Sequence, residues 1–134
     1  MKIFLDSNIP MYAAGAGHPN REPASQLLER VQKREVEAIT STEVLQEILY
    51  RYSALDRLDL AREVYDLFVE ICPVVVPVTL ADTDRARDLL CNTKGISARD
   101  AVHAGVMLNH GVEWIATFDK GFDHVAGIRR LQFD

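Results

Sequence analysis

Apolar residues along this chain alternate between two spacings. Ile3, Phe4 and Leu5 are consecutive, which suits a central strand covered on both faces, as in parallel α/β sheets. Pro10 cannot continue a sheet ladder, so that strand ends in Asp6-Ser7-Asn8. Residues 13–20, with three of the chain's glycines and prolines between Gly15 and Pro19, predict a loop overhanging this end. From about Pro23 the period becomes helical, through Ala24, Leu27, Leu28 and Val31 to the basic pair Lys33-Arg34. Residues 36–40 predict a second strand, and Thr40-Ser41-Thr42-Glu43 has the spacing of a capping box opening a helix with Val44, Leu45, Ile48 and Leu49 on its apolar face.

The same alternation continues to the end of the chain. Residues 58–70 predict an amphipathic helix through Leu60, Val64, Leu67 and Phe68, closed by Ile71. Val74-Val75-Val76-Pro77-Val78 is a strand interrupted by proline, which places it at a sheet edge. Helices are expected over 81–92 and 97–110, the second opened by Ser97-Ala98-Arg99-Asp100 and stopped by Gly111. A fourth strand over 113–117 and a final one within 128–133 complete the series. Strands and helices in alternation predict a parallel α/β sheet.

Composition narrows the class. With 134 residues, 48% hydrophobic and 26% charged, the chain is expected to form a single domain over 1–134. No apolar run is long enough to span a bilayer and no export segment precedes the first strand, so the expected setting is cytoplasmic, without a membrane. Cys72 and Cys91 are widely spaced and fit reduced, small apolar residues. The formal net charge of −5 argues against a globally basic nucleic-acid surface. It leaves Arg51, Lys94, Arg99 and Lys120 as local cations.

Ligand sites of open parallel sheets lie beyond the carboxyl ends of the strands, and here that edge collects acids. Asp6 follows the first strand, Asp119 the fourth, Asp100 opens the helix before the fourth, and Glu47 lies one turn into the helix after the second. Carboxylates gathered in this way repel unless neutralised, which points to a hard, oxygen-binding cation, Mg2+ or Mn2+. Asn8 and Thr117 are placed to orient the carboxylates. Each acid also has a structural explanation: Glu43 and Asp100 as capping partners, Asp6 and Asp119 as turn formers, Glu47 as a surface charge. Those explanations do not account for all four acids falling on one edge. His103, three residues after Asp100 and among Ala104, Met107 and Leu108, is expected to be packed and satisfied by a backbone group or water.

These pieces, in this order and spacing, resemble the PIN-domain nucleases and, within them, the small VapC-like toxins. The resemblance rests on Phe4-Leu5-Asp6-Ser7-Asn8, the serine-led helix from Ser41 to Glu47, Ala98-Arg99-Asp100-Ala101, and Thr117-Phe118-Asp119 with Phe122-Asp123. It implies a three-layer α/β/α fold whose five-stranded parallel sheet has the order 3-2-1-4-5, and a metal-dependent endoribonuclease activity, with the toxin role alongside that of a housekeeping RNA-processing nuclease or a non-catalytic binding module. Asp6, Glu47, Asp100 and Asp119 are then the catalytic acids. Asp6, Asp100, Asp119 and Asp123 are the metal ligands, with Asp123 a frequent fifth acid. Arg99 and Lys120 are candidates to hold RNA, although Arg99 could equally pair with a carboxylate at its own helix start. The implied partners are RNA, a second copy of the chain docked partly through residues 58–71, and a cognate antitoxin. Glu43, read as a cap, and Glu47, read as a site residue, are expected to separate stability from activity. Receiver domains and aspartyl phosphatases also place an aspartate after a central strand. The phosphatases need a second aspartate where this chain has Asn8, and receivers use the third strand, which here ends in Val78-Thr79.

Overall fold

The computed structural model describes residues 1–133. Its strands are β1 (Lys2–Leu5), β2 (Glu37–Ser41), β3 (Val74–Val76), β4 (Trp114–Ala116) and β5 (Arg129–Arg130). They form one parallel sheet in the order β3-β2-β1-β4-β5. Phe4 pairs in register with Ile39 on one side and Ile115 on the other. Ile3, Phe4 and Leu5 are all buried, as consecutive apolar residues in a strand covered on both faces must be. Proline breaks the third strand as expected: β3 stops at Val76 and lies at the sheet edge.

Helices α1 (Asn8–Ala14), α2 (Arg21–Gln32), α3 (Thr42–Ala54), α4 (Leu58–Ile71), α5 (Leu80–Asn92) and α6 (Ala98–Asn109) connect and cover the strands. α1 packs on α2 and α4, α3 joins α4 to α6, and α5 lies along α6. Gly105 makes that last approach close. A Cβ there would stand 2.6 Å from the Asp82 carbonyl oxygen, so only glycine lets the two helices meet. No helix among the described residues is long and apolar enough to cross a membrane.

Two local expectations change. Residues after Asn8 form a helix rather than running directly into a loop, because Pro10 sits in the first turn, where its missing N–H has no intrahelical partner to lose. The irregular segment is therefore only 15–20. The capping box from Thr40 to Glu43 does not form. Thr40 is the buried penultimate residue of β2 and its hydroxyl donates to the Leu5 carbonyl at 2.9 Å. The N-cap of α3 is Ser41, with extended backbone and no side-chain cap bond, and Glu43 is half-buried. Tertiary pairing of β2 with β1 thus claims the hydroxyl that a local cap would use. At α6 the expected start holds in one direction: the Ser97 hydroxyl accepts from the Asp100 N–H at 3.1 Å.

Candidate metal and phosphodiester site

β1 delivers Asp6 to the carboxyl edge of the sheet, its N–H still paired with the Ala116 carbonyl of β4 at 3.1 Å. The carboxylate is buried and held at both oxygens: the Ser7 N–H donates to Oδ1 and the Thr117 hydroxyl to Oδ2, each at 2.7 Å. Thr117 is in turn fixed by Asn8 Nδ2 at 3.1 Å and receives the Asp119 N–H at 3.0 Å. Asn8 Oδ1 accepts from the Phe118 N–H at 3.4 Å. Asn8 therefore acts on Asp6 through Thr117 and ties the ends of β1 and β4 together. Burial pushes the Asp6 carboxyl above its usual range, with the charge of His103 and the Thr117 bond opposing.

Glu47 reaches the same edge from the second turn of α3 and is almost fully buried. His103 Nε2 lies 3.3 Å from Oε1, while Arg51 Nη2 at 3.1 Å and Arg99 Nη1 at 3.2 Å converge on Oε2. Burial raises the Glu47 pKa, but the hydrogen bond and charge of His103, the Ser7 hydroxyl and Arg99 outweigh it and bring the group to about 2. His103 is pushed in the other direction. Burial disfavours its charged form, yet Glu47, Asp6 and Asp100 together raise its pKa above the ordinary histidine value. It is packed as expected, against Phe4 and Phe122, and its Nε2 meets the Glu47 carboxylate. Its Nδ1 is buried without a partner among the described residues. The helical spacing from Glu47 to Arg51 was the available sequence signal for Arg51. Nothing local announced that Glu47 and His103, 56 residues apart, would meet.

Asp100 and Asp119 are provided for differently. Asp119 Oδ1 accepts the Gly121 N–H at 2.8 Å as the chain enters a 3-10 turn, Lys120–His124. Asp100 is buried at the start of α6, and burial together with the hydrogen bond and charge of Asp119 pushes its carboxyl up to about 7. A Cβ at Gly121 would stand 3.2 Å from Asp119 Oδ1 and 3.5 Å from Asp100 Oδ2, so glycine keeps this approach open. Asp6, Glu47, Asp100 and Asp119 all line one cavity of about 770 Å3, with Arg51, Arg99 and the ring of Phe118. Phe118 is half-buried at the cavity wall. Lys120 lies beyond it in the adjoining groove. Asp123 does not join the cluster. Both its oxygens are taken by Arg130, at 2.7 and 2.9 Å, which holds its pKa low and turns it away from the cavity.

Two candidate cation positions follow from these donors. Ligand atoms of Asp6, Glu47 and His103 lie within 4.8 Å of one another. That group is already neutralised from within, since His103 bonds Glu47 and the two arginines complete the carboxylate. Asp100 and Asp119 make no ion pair among the described residues, and the Asp100 pKa is raised first by burial and then by the hydrogen bond and charge of Asp119. An all-oxygen set of Asp6, Asp100 and Asp119 fits a hard divalent cation, which would relieve that repulsion.

The chain is similar to known proteins over nearly its whole length. The family model described as PIN domain matches residues 3–128. The chain is 41% identical over 129 residues to Ribonuclease VapC13 of Mycobacterium tuberculosis, covering 96% of this chain and 98% of that protein. Among solved structures it is similar to VapC20 of M. tuberculosis, described as a sarcin-ricin loop cleaving toxin, with a TM-score of 0.74, 22% identity, and 90% and 92% of the two chains covered. It is also similar to VapBC2 from Rickettsia felis bound to a promoter DNA fragment, with a TM-score of 0.78, 20% identity and full coverage of both chains.

Proposed function

Since the chain belongs to the PIN-domain family, we propose that it is a divalent-metal-dependent endoribonuclease, the toxin of a toxin–antitoxin pair. The observation that carries the reading is the convergence of Asp6, Glu47, Asp100 and Asp119 on one cavity at the carboxyl edge of the sheet. The names of its relatives support ribonuclease and toxin, and the assemblies formed by its structural neighbours support an antitoxin as partner. Mg2+ or Mn2+ is the proposed ion, as hard cations that take carboxylate oxygens.

Asp6, Asp100 and Asp119 would hold the cation; when bound, it would polarise a phosphate oxygen and lower the pKa of a water that attacks phosphorus. The protein's own contribution is mostly placement. Thr117 and Asn8 hold the Asp6 carboxylate in one orientation, so that ligand costs little reorganisation. Glu47 carries no free cation site of its own. It anchors Arg51 and Arg99 in the cavity wall, where the remaining guanidinium N–H groups can donate to phosphate oxygens of RNA. Lys120 offers a cation on the other side of Phe118. We place the enzyme in the cytoplasm, with RNA. Self-association is proposed through α4, which exposes Leu58, Leu67 and Val69.

The test is RNA cleavage with Mg2+ or Mn2+ and with a chelator, for the wild type and Asp6→Asn. Cleavage should require the ion and disappear in the variant, whose circular dichroism should remain that of the folded protein. Cleavage at the wild-type rate by Asp6→Asn would overturn the assignment.

A further inference from the structure

We propose that the groove beyond Phe118 is a nucleobase subsite that seats one unpaired base of the RNA next to the scissile phosphate. The inference rests on the ribonuclease reading and adds to it where the strand runs. The groove is a second cavity, of about 500 Å3, bounded by Pro19 and Pro23 on one side and by Lys120, Leu131 and Phe133 on the other. Its volume falls within the roughly 300–1,000 Å3 of small-ligand sites.

Two residues make it continuous with the acid cavity. Phe118 lines both, and Thr117, the residue that holds Asp6, forms part of its floor. A strand with its phosphate at the acids therefore has only one aromatic ring to pass before entering the groove. That ring is already half of a stack: Phe118 and Phe133 lie 4.6 Å apart, centroid to centroid, at an interplanar angle of 21°. Tyr12 meets Phe118 edge-on at 5.3 Å and braces its ring. Phe118 and Phe133 are half-buried, so the stack is braced and still accessible.

The surrounding chemistry suits a nucleotide better than an apolar ligand. Lys120 is exposed and makes no ion pair among the described residues, which leaves its ammonium for a phosphate. Arg130 at the same rim is neutralised by Asp123, so the groove gains one cation without becoming a strong anion trap. An aromatic platform beside a single backbone-binding cation is how sequence-tolerant single-stranded binding is built, because every base offers a π face. Paired bases would not fit, since a base must leave its stack to continue that of Phe118 and Phe133.

The experiment is 2-aminopurine scanning of a tetranucleotide in chelator, where cleavage does not proceed, with its metal-dependent cleavage measured in parallel. One label position should be quenched on binding. Phe133→Ala should abolish the quench and weaken binding roughly 5- to 150-fold, as loss of one base stack does. Phe133→Trp should restore both, which a merely structural role at the chain's end would not produce. Cleavage of the tetranucleotide should respond mainly in KM. Metal-dependent cleavage without a Phe133-sensitive quench would overturn the subsite and leave the nuclease reading standing. Absence of both binding and cleavage would overturn the two together.

Discussion

The acid cavity has two halves that are built on opposite principles. On the α3 side, Glu47 is surrounded by donors: His103, Arg51 and Arg99 bond its carboxylate, and His103, Ser7 and Arg99 bring its pKa to about 2 against the effect of burial. On the α6 side, Asp100 and Asp119 face each other, and Asp100 keeps its proton up to about 7. One half is complete in the protein alone, while the other stores repulsion that an added cation would remove. A carboxylate's place in the sequence pattern does not reveal which half it belongs to. Asp6 lies between, firmly hydrogen-bonded yet raised by burial, within reach of either half.

The sharpest way to break this contrast is substitution on each side. Asp100→Asn should lower metal-dependent cleavage roughly a hundredfold or more, the scale of losing a cation's stabilisation of phosphoryl charge. The same change should raise the melting temperature of the metal-free protein, because it deletes a repulsive charge. A rate assay and a thermal melt in chelator read both effects. Glu47→Gln should act oppositely on the fold. Leaving His103 and two guanidinium groups short of a charged partner should destabilise by about 1–3 kcal/mol, seen in denaturant unfolding. That expectation replaces the one drawn from sequence, in which Glu47 carried no structural duty.

Titration offers a weaker but cleaner discrimination. Asp100 has its pKa raised in the folded state, so the folded protein holds a proton that the unfolded chain releases near 3.8. Stability from this group therefore falls as pH rises from about 4 through about 7. His103, also raised, contributes stability that is complete below its unfolded value of 6.5 and is lost as pH climbs through the folded one. Glu47 contributes above 4.5 and is lost as pH falls towards about 2. Metal-free protein should thus be most stable in mildly acidic solution and weaken towards alkaline pH, and a saturating divalent ion should flatten the alkaline decline. Urea unfolding at several pH values, with and without Mg2+, checks it. The smallest effect belongs to Glu43→Gln. With no cap to lose, it should shift stability by no more than about 0.5 kcal/mol and leave cleavage unchanged.

Legibility in the sequence followed the range of each interaction. β1 was plain because three consecutive apolar residues and a following carboxylate are local facts, and the edge position of β3 followed from Pro77 alone. The order of the strands came through family resemblance, since no local spacing states which strands become neighbours. Glu43 was misread because the Thr40 hydroxyl bonds Leu5, 35 residues away, instead of capping its own helix. Asp123 failed for a related reason: Arg130, seven residues on, lies in the next strand and draws the carboxylate away from the site. His103 and Arg99 became intelligible only when α3 and α6 were packed together around Glu47.

The most direct test of the two-halved site is calorimetry of Mn2+ binding in buffers of different ionisation enthalpy, which counts protons released on binding. If the cation is held by Asp100 and Asp119 with Asp6, binding below pH 7 should expel about one proton, the one that Asp100 keeps up to about 7, and binding well above that value should expel close to none. Mn2+ binding with no proton release at either pH, or no binding at all by a protein that still cleaves RNA, would contradict the account.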